Sequence, residues 1–272
     1  MLERLQYKNH MGEVIDFGRS GIFVSGNNLH DYNWTVYQKN GKISAFRRDV
    51  VKRTLPVIIF CSTVEEGVAA RNRLMEVAEK DVLANKPGRI IIGDYYYKCY
   101  ITESKKTKYL ASRRRMEAEL TIISDVPCWV REDLHFFRKK GVADPGLTYP
   151  HDYPFDFSSG FKRNTLMNTG FTASNFRMII YGPCTNPEVY VSGHAYVVNC
   201  KVEEGEYLTI DSVAKAVTRT ASDGTITNVF NLRGRESYIF EKIRSGDSPV
   251  TWDGEFGIDI ILLEERSEPK WT

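Results

Sequence analysis

The pattern of apolar positions changes period twice within residues 54–101. The run Leu55–Phe60 is apolar at nearly every position, which is typical of a buried strand. The next segment repeats its apolar residues about every 3.6 positions and predicts a helix. A second apolar run, Arg89–Ile92, is followed by Gly93-Asp94 and the aromatic run Tyr95–Tyr97, which predicts a two-residue hairpin. These residues therefore predict a strand, a helix and a β-hairpin in that order.

Both ends of this helix are marked in the sequence. Ser62 or Thr63 is expected to be the N-cap, because a glutamate follows three residues after each. The segment Asn85–Gly88, with its proline and glycine, ends the helix. Arg71 interrupts the apolar stripe, and we expect its guanidinium to extend outward. The residues expected on that stripe are Val64, Val68, Met75, Ala78 and Val82.

Further strands are predicted on either side of this segment. Residues 113–123 alternate apolar with charged or polar side chains, which is the pattern of an antiparallel strand with one buried face. Asn40-Gly41 predicts a tight turn. The basic stretch Ser44–Arg53 fits either an exposed loop or a strand. Early strands are expected at Glu13–Asp16, Ile22–Val24 and Tyr32–Tyr37.

The pattern breaks between residues 126 and 163. This segment is too rich in proline for a helix and too aromatic for a free linker. We interpret it as an extended connection that packs on a domain surface. The predicted organisation is an N-terminal domain at residues 1–130, a connection at 131–163 and a C-terminal domain at 164–272.

The last part of the chain predicts a β-sandwich, because short strand patterns alternate with turn signals such as Asn186-Pro187 and Ser192-Gly193. The expected strands are Phe176–Tyr181, Val189–Val191, Ala195–Val198, Tyr207–Ile210, Ala216–Thr220, Thr227–Asn231, Ser237–Ile243 and Gly257–Glu264. The predicted fold class is therefore mainly β with one α-helix: an α+β N-terminal domain with the helix and hairpin, then a C-terminal sandwich.

Composition and charge narrow the class of protein. The chain has 272 residues, of which 42% are hydrophobic, so it can bury a sizeable core. The formal net charge of +2 argues against a dedicated nucleic-acid binder. Five widely spaced cysteines favour free thiols in a reduced compartment over a disulfide framework. Without an apolar signal core or a membrane-length apolar run, we expect synthesis and retention in a cytosol, at least at first.

The sequence shows no arrangement of reacting groups. The five histidines are scattered and lack the spacing of zinc ligands. There is no nucleophile elbow, P-loop or dinucleotide-binding fingerprint. Carboxylates such as Asp152 and Asp156 could form a glycosidase pair, but nothing singles out any pair. We therefore predict no catalytic residues, no metal site, no cofactor and no enzymatic activity.

Two groups of side chains are candidates for contacts with partners. Basic clusters that include Arg113 and Arg115 fit phosphate contact, a solvated strand end or a charge pair between subunits. The run Tyr95–Tyr97 places rings on both faces of a strand, so one face is expected in the core and the other in a contact patch. Five aromatic residues of the β-rich half could either line a sugar-binding platform or pack in the core of the sandwich: Tyr190, Tyr196, Tyr207, Trp252 and Trp271.

Short segments in a fixed order resemble those of a known family. They are Leu55–Ile101, the aromatic and proline-rich junction, Asn168-Thr169-Gly170, Phe176–Gly182 with Asn186-Pro187, Tyr207–Asp211 and Phe240–Val250. In the last of these, Asp247 stands where the family has an asparagine. Together they resemble the distal tail proteins of tailed bacteriophages, the siphophage tail family often called Dit. The resemblance covers nearly the whole chain.

The resemblance implies a structural hub protein of a phage, or prophage-derived, tail tip or baseplate. It implies a split-barrel-like N-terminal domain that forms a homo-hexameric ring, and a galectin-like C-terminal sandwich that projects outward. The ring would join the tail tube protein to the baseplate hub or tail-associated lysin, with the tape-measure protein and a receptor-binding protein as further partners. Neither a membrane nor sequence-specific nucleic acid is expected. The protein would lie at the virion tail tip after assembly in the host bacterial cytoplasm.

The candidate inter-subunit residues in such a ring are Tyr95, Tyr97, Arg113 and Arg115. A closed ring needs two different complementary patches on each subunit, and strand edges and the basic segment Lys39–Arg53 are candidates for them. Charge reversal at the two arginines is expected to weaken oligomerisation, whereas intact rings in light scattering would contradict that role. The alternative function is a carbohydrate-binding β-sandwich protein that recognises host cell-wall glycan, which a glycan-binding monomer would favour.

Overall fold

The computed structural model describes residues 4–19, 21–109, 114–140 and 164–270. The chain divides into two compact units. Unit 1 consists of Met1–Arg131 and Glu265–Thr272, and unit 2 consists of Glu132–Glu264. The described residues form antiparallel sheets and one α-helix, so the predicted fold class is confirmed.

Unit 1 contains the α-helix and the first strands of the chain. They are β1 (Leu5–Lys8), β2 (Val14–Phe17), β3 (Ile22–Val24), β4 (Thr35–Lys39), β5 (Lys42–Arg47), β6 (Val51–Phe60), α1 (Val64–Ala84), β7 (Gly88–Ile92), β8 (Tyr95–Tyr109) and β9 (Arg115–Ser124). The start of β10 (Trp129–Phe137) also belongs to this unit.

The sheet of unit 1 is organised around the long strand β8. The strands follow the order β2-β1-β7-β8-β9-β6-β3, and every pair is antiparallel. Irregularities in register at Ile101/Glu103 and Lys106/Lys108 bend β8. Its first residues therefore pair with β7 and with the start of β10, and its later residues pair with β9. Trp129, Tyr7 and Leu74 are buried in the core that α1 and this sheet enclose.

The ends of α1 agree with the sequence prediction. The Thr63 side chain accepts a hydrogen bond from the Glu66 backbone, and Glu66 accepts one from the Thr63 backbone, which completes a capping box. Asn85 ends the helix in the left-handed conformation, at φ 51°. Of the predicted apolar stripe, however, only Ala78 lies on the buried face. Val68, Met75 and Val82 are exposed, and the buried residues are Gly67, Ala70, Leu74, Val77, Ala78 and Asp81.

Unit 2 contains the rest of β10 and the remaining strands. They are β11 (Thr165–Asn168), β12 (Asn175–Tyr181), β13 (Cys184–Thr185), β14 (Glu188–Val191), β15 (His194–Val197), β16 (Lys201–Val202), β17 (Tyr207–Asp211), β18 (Ala216–Thr220), β19 (Ile226–Asn228), β20 (Gly246–Thr251) and β21 (Ile258–Arg266), whose last residues return to unit 1.

Two sheets share the core of unit 2. One has the order β19-β18-β17-β12-β21, and the other has the order β11-β20-β14-β15. Alternate residues of both sheets are buried in one hydrophobic cluster, as Met178 and Ile260 show for the first sheet and Val189 and Val250 for the second. This arrangement is that of a β-sandwich.

Three segments differ from their sequence predictions. Residues 129–137, expected in an extended connection, form β10; the rest of that connection, residues 141–163, lies outside the described residues. The strand expected at Ser237–Ile243 does not form; Ile243 makes only an isolated bridge to Ser174. The strand in this part of the chain is β20, which begins at Gly246. Glu265–Thr272, expected in the C-terminal domain, groups with unit 1.

Candidate interaction surfaces

Tyr95 and Tyr97 lie on the buried face of β8. Their exposed fractions are only 7% and 2%. The ring of Tyr97 packs 5.3 Å from that of Trp129, with the guanidinium of Arg53 5.8 Å from its centroid. Burial raises the pKa of Tyr97 above its usual value. This placement corrects the expectation of two surface contact residues, because both rings belong to the core of unit 1.

The opposite face of β8 carries Tyr96, which is half-buried. The guanidinium of Arg89 stacks 4.4 Å from the centroid of its ring. Because successive side chains of a strand point to opposite faces, one tyrosine of this run faces away from the core. The sequence predicted rings on both faces, but the choice of the core face depends on tertiary packing.

Arg115 is exposed and has a partner within its own chain. Its Nη2 lies 3.0 Å from Oε1 of Glu117, and Lys108 Nζ lies 3.2 Å from Oε2 of the same carboxylate. The hydrogen bond from Arg115, followed by that from Lys108, holds the pKa of Glu117 below its usual value. Arg113, its expected neighbour in a contact, lies outside the described residues.

The hairpin β4–β5 exposes apolar side chains on a two-stranded sheet of its own. Phe46 is 58% exposed and Ile43 is 59% exposed, and Trp34, Val36 and Tyr37 are exposed as well. We call residues 34–47 the apolar hairpin. In the sequence, apolar Trp34 and Val36 alternate with polar residues next to an Asn-Gly turn that basic residues flank. This alternation predicts a strand, but it does not show that the apolar face has no core to pack against.

A second apolar surface lies along α1. Val68, Met75 and Val82 follow each other at intervals of seven residues and are all exposed. We call these three residues the helix stripe. Met75 and Val82 border a groove of about 160 Å³ that Ile101 and Glu103 of β8 also line.

Unit 2 has a cleft of about 540 Å³ beside β12. Phe136, Tyr181 and Ile258 line it, together with Asp259. The Tyr181 hydroxyl donates a 2.7 Å hydrogen bond to Asp259 Oδ2. Burial and this bond raise the pKa of Tyr181 to about 12. The ring of Tyr207, outside the cleft lining, lies 6.4 Å from that of Tyr181, so two exposed aromatic rings are neighbours on this side of the unit.

The cysteines are unpaired. Four are buried, and Cys184 is half-buried. Burial raises the pKa of the Cys128 thiol to about 11, as it does that of Cys184. Such thiols carry little thiolate at neutral pH and are weak nucleophiles. The described ranges contain no group of three or more His, Cys, Asp or Glu side chains placed to hold a metal ion. In the same ranges, no helix is both long enough and apolar enough to cross a membrane.

The whole fold is similar to those of solved phage proteins. A chain of the phage P2 baseplate in its activated conformation with Ca matches with a TM-score of 0.66 at 15% identity, covering 99% of this chain and 100% of that chain. The P2 baseplate with Sr gives the same values. SPP1 Dit, described as a paradigm of the hub adsorption apparatus in phages that infect Gram-positive bacteria, matches with a TM-score of 0.60 at 9% identity, covering 98% and 100%.

No protein-family model and no curated protein matches the sequence. The similarity to the phage proteins is therefore one of fold at low identity. It spans both units, and it confirms the predicted fold class, mainly β with one helix.

Proposed function

We propose that this chain is a structural protein of a phage, or prophage-derived, tail tip or baseplate. The observation that carries the proposal is the match of nearly the whole chain to the whole of a P2 baseplate chain and of SPP1 Dit. A shared sandwich alone would be weak support, because sandwiches serve many functions. A match that includes the sandwich, the bent sheet and its helix in one chain is more specific.

In the proposed role, copies of unit 1 form a closed ring and the sandwich lies outside it. The ring joins the tail tube protein to the baseplate hub or tail-associated lysin, near the tape-measure and receptor-binding proteins. Its action is assembly rather than catalysis. The protein is located at the virion tail tip after assembly in the host cytoplasm.

Oligomeric state tests this proposal. The purified full chain is expected to form a ring of about six copies, with two different patches of each subunit in contact. Light scattering after size exclusion gives the mass, and negative-stain electron microscopy shows the ring. A chain that stays monomeric at every concentration, including the micromolar range and above, contradicts the proposed role.

Arg115 remains a proposed contact residue. Arg115→Glu is expected to raise the dissociation constant between subunits by about threefold to fivefold at low salt, because it places like charges beside Glu117 and reverses an exposed charge. Light scattering over a dilution series measures the effect, which should shrink in high salt. The control is Arg235→Glu on the exposed surface of unit 2. Equal dissociation constants for the two variants would show that Arg115 is not a contact residue.

The cleft of unit 2 supports a second candidate function, recognition of host cell-wall glycan. Exposed aromatic rings beside a carboxylate suit a sugar, whose ring faces are apolar and whose hydroxyls donate hydrogen bonds. Tyr181→Ala is then expected to weaken binding to purified cell-wall glycan at least about tenfold. Tyr238→Ala, a change of an exposed tyrosine elsewhere in the unit, is the control. Wild-type protein that fails to sediment with the glycan contradicts this function.

A further inference from the structure

Within a single chain, the apolar side chains of the apolar hairpin are not explained by burial in a core. A two-stranded hairpin is marginally stable in water, and burial of an apolar face normally compensates for this. Here the apolar side chains are exposed instead. Large exposed patches of this kind mark contact surfaces.

One face of the apolar hairpin carries most of this surface. Val36 is paired directly with Phe46, so both side chains lie on the same face. Trp34 precedes Val36 by two residues and continues that face. Ile43, paired with Gln38, extends it toward the turn. The opposite face carries Tyr37, on which the guanidinium of Arg47 stacks at 5.1 Å.

The root of the hairpin is fixed to unit 1. The guanidinium of Arg48 lies 4.6 Å from the centroid of the Trp34 ring. Arg48 also lies 3.9 Å from Glu265 Oε2 and 3.4 Å from the hydroxyl of Ser267, both in the last segment of the unit. The apolar face is thus presented from an anchored base, which lowers the entropy cost of binding.

The helix stripe is a surface of matching length. Val68 and Val82 lie about 21 Å apart along the axis of α1, from the rise of a helix. The six residues of β5 span about 17 Å, from five rises of a strand, so the two lengths are similar. The buried face of α1 is separate and already packed against the sheet, so the stripe is free to take a partner.

The charges of the two surfaces are complementary. The hairpin and its root carry Lys39, Lys42, Arg47 and Arg48 against the single acid Asp49. The side of α1 beside the stripe carries three acids, Glu65, Glu76 and Glu79, against one base, Arg71, all within about 100° of Met75 around the helix, so it is acidic on balance. Complementary charge around an apolar centre steers two surfaces together and fixes their register.

We propose that the apolar hairpin of one copy lies along the helix stripe and groove of the next copy. Both surfaces are exposed in the single chain, so neither covers the other. Because the surfaces differ, the contact is head-to-tail, which is the kind of contact that a closed ring needs. The inference rests on the proposed ring and names its two contact surfaces.

Single variants of the full chain test the two surfaces separately. Phe46→Asp and Met75→Asp each place a charge at an exposed position and should leave the fold intact by circular dichroism. Each is expected to raise the subunit dissociation constant at least about thirtyfold, the effect of a central contact residue. Met11→Asp makes the same change at an exposed turn of unit 1 and should assemble like wild type.

Mixing the two variants tests the head-to-tail geometry. Phe46→Asp keeps an intact helix stripe, and Met75→Asp keeps an intact apolar hairpin. The hairpin of Met75→Asp can therefore bind the stripe of Phe46→Asp, but the other two surfaces of this pair are altered, so no ring can close. The mixture is expected to give heterodimers by native mass spectrometry. If wild type forms rings and either variant also does, the docking inference is wrong and the ring stands. If wild type does not assemble at all, the proposed function itself fails.

Discussion

Replacement of Asp81 by leucine is expected to destabilise unit 1 by about 3 kcal/mol. Asp81 is fully buried on the packed face of α1. Its Oδ2 accepts a 2.5 Å hydrogen bond from the Tyr7 hydroxyl, and its Oδ1 accepts one from the His10 backbone at 2.9 Å, with His10 Nδ1 2.5 Å away. Burial, followed by this bond, raises the pKa of Tyr7, so its hydroxyl stays a donor. Leucine would leave the buried Tyr7 hydroxyl and the half-buried His10 backbone N–H without this acceptor.

A double-mutant cycle separates the hydrogen bond from the loss of packing. Tyr7→Phe alone should cost about 2 kcal/mol, because it leaves the carboxylate without that donor. The double variant Tyr7→Phe with Asp81→Leu should cost about 1–2 kcal/mol less than the two single costs together. Hydrogen exchange of the α1 amides, at fixed protein concentration, measures the free energy of unfolding of unit 1. Strict additivity would show that the two groups do not interact.

The control for this cycle lies on the same helix. Ala69→Leu introduces leucine at an exposed position of α1 away from the helix stripe and should alter the stability by less than about 0.5 kcal/mol. A large loss there as well would point to helix propensity rather than to the buried network.

The sequence predicted those parts of the fold that local chemistry decides. The capping box of Thr63 and Glu66, the Asn40-Gly41 turn and the Gly93-Asp94 hairpin all formed where expected. In each, a few neighbouring residues fix the backbone through their own hydrogen bonds or their tolerance of positive φ.

Strand β10 was missed because its alternation is inverted. Leu134 and Phe136 lie on its exposed face, while Asp133 and His135 lie on the half-buried one. A pattern that assigns apolar residues to the core does not recognise such a strand. β20 was missed for another reason, because its Gly246 and Pro249 are unfavourable in strands by composition.

The contact surfaces were only partly predictable. The sequence indicated the basic segment that includes β5 and the tyrosines of β8 as candidate contacts. Whether an apolar face is buried or exposed, however, depends on which other elements pack against it. α1 illustrates this, since Leu74 and Met75 are neighbours of similar hydrophobicity, and one is buried while the other is exposed. The structure buries Tyr95 and Tyr97 and exposes the apolar hairpin and the helix stripe, which is why the proposed contact uses the latter two surfaces.

Two sequence motifs that seemed independent meet in unit 2. Asn168 opens one of them, and Ile243 and Arg244 belong to the other. The Asn168 Nδ2 donates hydrogen bonds to the carbonyls of Ile243 at 2.9 Å and Arg244 at 3.1 Å. Its Oδ1 accepts from the Gly170 backbone at 2.9 Å and from the Ser174 hydroxyl at 3.1 Å. The amide thus joins two loops beside the β11–β20 pair.

Asn168→Asp is expected to destabilise unit 2 by about 3 kcal/mol at pH 7. The change keeps the size of the side chain and its Oδ1 acceptor, but it aims a second carboxylate oxygen at two carbonyl oxygens. The native Asn168 is 3% exposed, so water would screen this repulsion poorly. Urea unfolding, with hydrogen exchange of β11 and β20, measures the loss.

The pH dependence of this variant distinguishes repulsion from a loss of packing. Repulsion raises the folded-state pKa of the introduced carboxyl above its unfolded value of about 3.9. The protonated form can donate to a carbonyl, so the deficit relative to wild type should shrink as the pH falls toward about 4 and be complete above the raised pKa. Asn199→Asp, at an exposed position, should show neither effect. A deficit of equal size at both pH values would mean that the amide acts through its shape rather than through its two donated hydrogen bonds.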